Sequence, residues 1–278
     1  YQGRFSDGPL WWEQMAATLG VAAESHAVAG AFSGSGNEND GVFTGFDQYD
    51  GLAEQVADYL AAHPDGINPD ALYVVWAGAN DVIRGLNILL ATGSASGIDP
   101  VGTSGNLIGA IDALGQAGGR YFLVPNMPNL GVLPRVLDLG PVAAATVGAL
   151  SAQYRDVFTL LLDQYLATVD YNVVVVDSFG LLTAINQAPG TFGMTEVTTP
   201  CLDRPNPLDP ATWSACGSPT PAGWFFWDDI HPTAQGHAVI GDEFRSEYCG
   251  TDDDTPGVRG KPQRQPPPIW RGVCYGSP

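Results

Sequence analysis

The sequence predicts an α/β protein, a three-layer α/β/α sandwich with a central parallel sheet. Three short and almost wholly apolar runs occur at 72–76, 121–124 and 173–176, and continuous apolarity is typical of strands buried on both faces of a sheet. Longer segments between them repeat their apolar residues at helical spacing. Strands that alternate with amphipathic helices predict a parallel sheet covered by helices on each side.

Helical spacing marks four segments. Pro9 in a first turn and Gly20 just past the last apolar residue predict a helix that carries Trp11, Met15 and Leu19. The other three helices are predicted from the sets Leu52, Val56, Leu60; Leu107, Ile111, Leu114; and Leu150, Tyr154, Val157, Leu161, Tyr165.

The periodicity ends in two places. From about 186 to 226 the chain is rich in Pro, Gly and Thr, so we expect a long loop near the active face. Residues 251–268 are polar and proline-rich and are predicted to form an extended connector without a core of its own. We expect residues 1–278 to form a single domain.

Composition limits the partners. The formal net charge is −19, from 30 acidic and 11 basic side chains, so the chain repels polyanions and we expect no nucleic-acid partner. No apolar run reaches the roughly 20 residues that cross a bilayer, so we expect no transmembrane segment. A small molecule is the expected partner, and no motif indicates an oligomeric state.

The four cysteines predict two disulfides. Cys201, Cys216, Cys249 and Cys274 lack the CxxC spacing of zinc or redox sites, so paired cysteines in a secreted or periplasmic protein are favoured over free thiols in a cytosolic one. Of the three possible pairings we favour the sequential one, because the first two cysteines bracket a short polar stretch. The start at Tyr1 instead of Met predicts a trimmed chain, either by signal cleavage in the cell or by the way in which the protein was produced.

The stretch "WDDIHPT", residues 227–233, places an Asp three positions before a His. A serine nucleophile needs a base, and the base needs a carboxylate to fix its tautomer; His231 and Asp228 fit these roles, with Asp229 as the alternative carboxylate. His237 could join His231 at a metal, but no third ligand has suitable spacing. We therefore predict no metal and no cofactor.

Three further motifs complete a family pattern. "AVAG" (27–30), "GAND" (78–81) and "FFWDDIHPT" (225–233) occur in one order with "GRFSDGPLWWEQMA" before them. Together with "FLVPNMPNLGVLP" they resemble the GDSL family of SGNH hydrolases, which are serine esterases and lipases of flavodoxin-like α/β/α fold. The resemblance is collinear from Gly3 to about Phe244.

The resemblance implies roles for these motifs. His231 and Asp228 are the implied base and orienting carboxylate, while the backbone N–H of Gly30 and the side-chain amide of Asn80 are the implied oxyanion donors. From the residues alone, Asn80 would be a helix cap and Gly30 a turn residue. Gly78 is most simply the residue that lets the chain bend.

The nucleophile block of the family is absent from its usual place. The family begins with a strand ending in Gly-Asp-Ser-Leu, before the segment that resembles "GRFSDG". In the flavodoxin-like order 2-1-3-4-5 this strand is interior, so another segment should fill its place. The apolar tail at 269–278, "IWRGVCYGSP", is the predicted replacement. It would deliver Ser277 as nucleophile, which makes the chain a circular permutation; Ser6, or a serine trimmed from the chain, is the alternative.

The resemblance implies a carboxylic ester hydrolase that works through a Ser277–His231–Asp228 triad and an acyl-enzyme intermediate. Its oxyanion hole would consist of Gly30, Asn80 and the Ser277 N–H, and its substrate would be a small-molecule ester or lipid. A carbohydrate acetylesterase is the alternative enzyme. An inactive scaffold that binds a glycan is the alternative outside enzymes. Its ligand would bind a set of aromatic residues that are otherwise core: Trp224, Phe225, Phe226 and Trp227.

Overall fold

Helices and parallel strands alternate along the chain, as the sequence predicts. The computed structural model describes residues 4–40, 50–204, 213–216, 222–250 and Cys274. The strands are β1 (Leu72–Val74), β2 (Tyr121–Pro125), β3 (Asn172–Val176), β4 (Leu202–Asp203) and β5 (Ser214–Ala215). The helices are α1 (Trp11–Leu19), α2 (Leu52–Ala62), α3 (Ala79–Thr92), α4 (Pro100–Gln116), α5 (Pro134–Leu137), α6 (Pro141–Leu166), α7 (Ser178–Gln187) and α8 (Ala234–Cys249). Short 3₁₀ turns occupy Leu130–Val132 and Pro189–Phe192.

The described residues group into two compact units. The first unit takes its residues from Tyr1–Ala23, Asn129–Gly148 and Gly180–Pro278, and the second from Glu24–Pro128 and Ala149–Phe179. The second unit holds the parallel sheet, and the first holds the "WDDIHPT" loop.

In the second unit β1, β2 and β3 form a parallel sheet in that order. Tyr121 lies opposite Leu72 on one side and Asn172 on the other. Phe122 and Val124 belong to a core with residues of α4 and α6, while Leu123 on the opposite face is also 0% exposed. The sheet is thus flanked by helices, and the predicted α/β class with a parallel sheet is confirmed.

The prediction that all three strands are buried on both faces was wrong. β2 is buried on both faces, but Val74 of β1 is 40% exposed and Val175 of β3 is 37% exposed. The reason is position: among the described residues β1 and β3 each pair on one side only, and outer strands of a sheet are less covered than a central one.

In the first unit α1 packs against α8. Trp11 contacts Phe244 edge to face, with ring centroids 4.9 Å apart. α1 ends at Gly20, whose φ of 65° is the left-handed conformation that commonly closes a helix. The predicted helix from Pro9 to Gly20 is therefore confirmed.

The described parts of the segment from 186 to 226 contain more regular structure than the predicted long loop. It begins with the end of α7 and a 3₁₀ turn, and it contains the two-residue antiparallel ladder of β4 and β5. A disulfide joins Cys201 to Cys216 across this ladder, and a second joins Cys249 to Cys274. The sequential pairing is confirmed.

None of the helices in the described part of the chain has the length and apolarity that a bilayer crossing requires.

Candidate active site

The loop before α8 brings Asp228 and His231 together. Nδ1 of His231 lies 2.9 Å from Oδ2 and 3.0 Å from Oδ1 of Asp228. Oδ1 also accepts the backbone N–H groups of Ile230 at 3.0 Å and His231 at 2.7 Å. An Asp side chain that binds the backbone two and three residues later closes a tight turn, which explains why a spacing of three places the carboxylate at the ring.

Asp228 is almost fully buried and remains a carboxylate. Its residue is 4% exposed, whereas the His231 side chain is 37% exposed. Burial by itself would raise the pKa of Asp228, but the hydrogen bond and charge of His231 and the two backbone N–H groups outweigh it, so the pKa is lowered. An ionised carboxylate only accepts hydrogen bonds, so the proton at this contact belongs to Nδ1.

Nε2 of His231 is therefore the basic atom of the pair, and it has no hydrogen-bond partner among the residues that the structure describes. One face of the ring is covered by Phe5, with ring centroids 5.0 Å apart and planes at 22°. The pair can accept a proton at Nε2 while the carboxylate stabilises the imidazolium that forms.

Asp229, the alternative carboxylate, makes different contacts. Its Oδ2 accepts from Nε of Arg135 at 2.7 Å, and its Oδ1 accepts from Arg204 at 3.0 Å. The backbone N–H of Arg135 also donates to the backbone carbonyl oxygen of Asp229 at 3.1 Å. Asp228 is thus the carboxylate that faces the imidazole. Asp229 instead anchors the loop through its contacts with the two arginines.

The disulfide-closed segment supports the same loop. The N–H groups of Cys201 and Leu202 donate to the carbonyl oxygens of Phe226 and Trp227, at 3.0 and 2.6 Å. Arg204, which contacts Asp229, follows directly after β4. Sequence reasoning missed both arginines, because no local spacing connects them to the loop.

His237 lies in α8 and is 8% exposed. Its Nδ1 has no hydrogen-bond partner among the described residues. Burial, with a smaller effect of the His231 charge, lowers the pKa of His237 to about 4, so the ring is neutral at neutral pH. Within the described ranges no three His, Cys, Asp or Glu side chains are grouped so that they could hold a metal ion.

In the second unit Gly30 and Asn80 are joined through one residue. The Nδ2 group of Asn80 donates to the carbonyl oxygen of Ala31 at 3.0 Å, which leaves its second amide hydrogen for another acceptor. Gly30 has a φ of 83°, and a Cβ there would overlap the side chains of Asn37 and Asn39. Only glycine fits this position.

Asn80 is not a helix cap, as its residue type alone would suggest. The residue at the cap of α3 is Gly78, whose φ of 109° makes the bend that the sequence predicts there. A Cβ on Gly78 would also lie 3.0 Å from Thr103 and 3.1 Å from Met127. The glycine therefore turns the chain directly after β1 and lets it approach its neighbours.

Asp81 of the "GAND" motif has a role in the second unit that the sequence analysis did not assign. Its carboxylate accepts from the hydroxyl of Ser33 at 2.7 Å and from the N–H of Ser33 at 2.9 Å. The amide of Asn106 donates to the same hydroxyl at 3.0 Å. Burial raises the pKa of Asp81 against these hydrogen bonds. Its place in "GAND", next to Asn80, was the available signal.

The aromatic set before the loop is mainly core. Phe225 and Phe226 are 0% and 2% exposed and pack edge to face at 4.9 Å, while Trp224 and Trp227 are half-buried. Two of the four rings are thus unavailable to a glycan.

Of the two predicted serines, Ser6 is 0% exposed, and Ser277 lies outside the described residues. The connector at 251–268 and all of the tail except Cys274 also lie outside them.

A parallel α/β sheet together with a buried carboxylate that orients a half-exposed imidazole is typical of enzymes that activate a nucleophile by general-base catalysis. The chain's own family agrees with that class. Residues 1–244 match the model of the GDSL-like lipase/acylhydrolase family. The chain belongs to this family of ester hydrolases.

Similar proteins carry esterase and acyltransferase names. The chain is 26% identical to the phosphatidylcholine-sterol acyltransferase of Aeromonas hydrophila, over 86% of this chain and 78% of that protein. It is 24% identical to the thermolabile hemolysin of Vibrio parahaemolyticus, over 87% of this chain and 55% of that protein. It is 30% identical to the esterase EstA of Pseudomonas aeruginosa, over 64% of this chain but only 26% of that protein.

Proposed function

We propose that the chain is an exported serine esterase or lipase that hydrolyses carboxylic esters through an acyl-enzyme intermediate. The observation that carries this proposal is the contact of 2.9 Å between Nδ1 of His231 and the buried carboxylate of Asp228. It leaves Nε2 as a base with a fixed tautomer, which is what a seryl hydroxyl requires. Membership of the family supports the ester as substrate.

In the proposed mechanism Ser277 attacks the ester carbonyl while Nε2 of His231 takes its proton. Asp228 stabilises the imidazolium, which then gives the proton to the leaving alcohol. The Gly30 N–H, the Asn80 amide and the Ser277 N–H donate to the oxyanion, and one such donor contributes on the order of 10² to 10³ in rate. Water then attacks the acyl-enzyme while Nε2 of His231 takes a proton from it, and the imidazolium returns this proton to the Ser277 oxygen as the acid is released.

Ser277 is proposed as nucleophile for two reasons. Its neighbour Cys274, three residues earlier, is bonded to Cys249 at the end of α8, so the tail is tied to the helix that follows the His231 loop. Ser6, the alternative, is 0% exposed and so is poorly accessible to an ester. A nucleophile on the last strand would make the chain a circular permutation of its family, which stays a prediction.

Labelling with a fluorophosphonate tests these assignments. Mass spectrometry should locate the adduct at Ser277, and Ser277→Ala should abolish labelling while Ser6→Ala retains it. An adduct at any other residue refutes the nucleophile. Separately, His231→Ala should abolish turnover of nitrophenyl esters; an unchanged rate would remove the triad as a whole.

Other features support the proposed export and the proposed substrate class. Two disulfides, at Cys201–Cys216 and Cys249–Cys274, are typical of proteins of an oxidising compartment, which supports a secreted or periplasmic location. The name of the Aeromonas hydrophila relative supports a lipid ester as acyl donor. A series of nitrophenyl esters of increasing acyl length would distinguish a lipase from a short-chain or acetyl esterase.

A further inference from the structure

An exposed aromatic ring covers the imidazole of the proposed base. Phe5 stacks on His231 with centroids 5.0 Å apart and planes at 22°, and this spacing of near-parallel rings is an offset stack. Phe5 is nevertheless 56% exposed. More than half of the residue is therefore accessible to solvent, and burial of its own surface contributes little to its position.

The residues on both sides of Phe5 fix its backbone. Nε of Arg4 donates to the carboxylate of Glu13 at 2.8 Å, and Asp7 accepts the first N–H of α8, that of Ala234, at 2.6 Å. Ser6 between them is fully buried. A scattered apolar side chain on a surface needs no explanation, but one anchored on both sides and set against a catalytic base does.

The chemistry of the neighbouring atom indicates what the ring is for. His231 gives its proton to the oxygen of the leaving alcohol, so that oxygen must come within hydrogen-bond distance of Nε2. The carbon skeleton attached to the oxygen then lies beside the imidazole, where Phe5 offers the exposed apolar surface. An aliphatic or aryl group there would remove both surfaces from water, whereas a methyl group would cover little of the ring.

We infer that Phe5 is a specificity-determining residue that contacts the alcohol part of the ester and selects alcohols with an extended apolar group. This inference rests on the proposed esterase function, since it takes His231 as the general acid of alcohol release. The alcohol part of the ester is separate from the acyl chain. Contact with Phe5 would therefore select substrates by their alcohol, independently of the length of the acyl chain.

The experiment varies the alcohol and holds the acyl group constant. Values of kcat/KM are measured for the methyl, butyl and phenethyl esters of butyric acid, whose leaving groups are all alkoxides. In Phe5→Ala the preference for the phenethyl over the methyl ester should fall about tenfold, the size expected for loss of one aromatic contact. The methyl ester should change by no more than about twofold, and Phe5→Trp should restore the preference.

The matched control is Leu139→Ala, which removes another exposed apolar side chain of the same unit, 65% exposed; all three rates should stay as in the native chain. An equal loss for all three esters in Phe5→Ala would mean a purely structural role and would overturn the inference, as would an unchanged preference. Either outcome leaves the esterase proposal standing. A native chain that hydrolyses none of the esters, or a His231→Ala variant that is as active as the native chain, overturns both.

Discussion

Replacement of Asp228 by Asn should inactivate the enzyme by reversing the direction of one hydrogen bond. Oδ1 of Asp228 accepts two backbone N–H groups, from Ile230 and His231, and also lies 3.0 Å from Nδ1 of the ring, whereas Oδ2, at 2.9 Å, contacts Nδ1 alone. An Asn side chain keeps both backbone bonds by placing its oxygen at the Oδ1 position. Its NH₂ group then faces Nδ1 and donates to it.

The consequence is the wrong tautomer of His231. With Nδ1 as acceptor the ring proton moves to Nε2, and Nε2 can no longer take the proton of a serine. The expected loss is about 10⁴ in kcat, the size that this substitution has in known serine triads, or about 5 kcal/mol of transition-state stabilisation. The loop should persist, because its backbone hydrogen bonds are retained.

The assay combines turnover with a spectroscopic measurement. Hydrolysis of a nitrophenyl ester gives kcat, and nitrogen NMR of the imidazole reports which ring nitrogen carries the proton without any need for turnover. Asp229→Asn is the matched control, because it makes the same chemical change one residue later, where the contacts are to Arg135 and Arg204. It should keep the native tautomer. The reasoning is refuted if Asp228→Asn keeps the proton on Nδ1, or if Asp229→Asn is the more damaging substitution.

Three further outcomes are expected. Because the pKa of His237 is lowered to about 4, the unfolded chain binds a proton that the folded chain does not, so the free energy of unfolding should fall by about 2 kcal/mol from pH 7 to 5. Urea titrations should find this fall absent in His237→Leu and retained in the exposed control His26→Leu. Arg204→Gln removes one half-exposed ion pair with Asp229 and should cost at most about 1 kcal/mol in unfolding free energy, with kcat lowered only a few fold; a loss as large as that of Asp228→Asn would mean that the arginine acts in the chemistry. Gly78→Ala should cost about 2 kcal/mol, since its φ of 109° strains any side chain, and thermal unfolding that is unchanged would contradict this.

Local patterns account for what the sequence predicted correctly. The helix from Pro9 to Gly20 has its start and stop residues within one segment, and β2 has a continuous apolar run that matches its burial on both faces. The Asp228–His231 pair is equally local, since its turn is closed by residues three apart. Each of these follows from interactions between near neighbours in the chain.

Contacts between distant segments account for what was not predicted. Arg135 and Asp229 are 94 residues apart, and Arg204 and Asp229 are 25 apart, so no periodicity connects them. The stack of Phe5 on His231 joins opposite ends of the first unit's sequence. The prediction that every strand is buried on both faces failed for a related reason. The run at 173–176 has the apolar composition of a central strand, and only its position in the order of strands determines how much of it is exposed to solvent.

Asp228 and His231 are three residues apart in the sequence, and this closeness has an evolutionary consequence. Because the two residues lie within one turn, a rearrangement of the gene at almost any other position would keep them together. Only groups contributed by other segments of the chain would then have to be brought back to the imidazole.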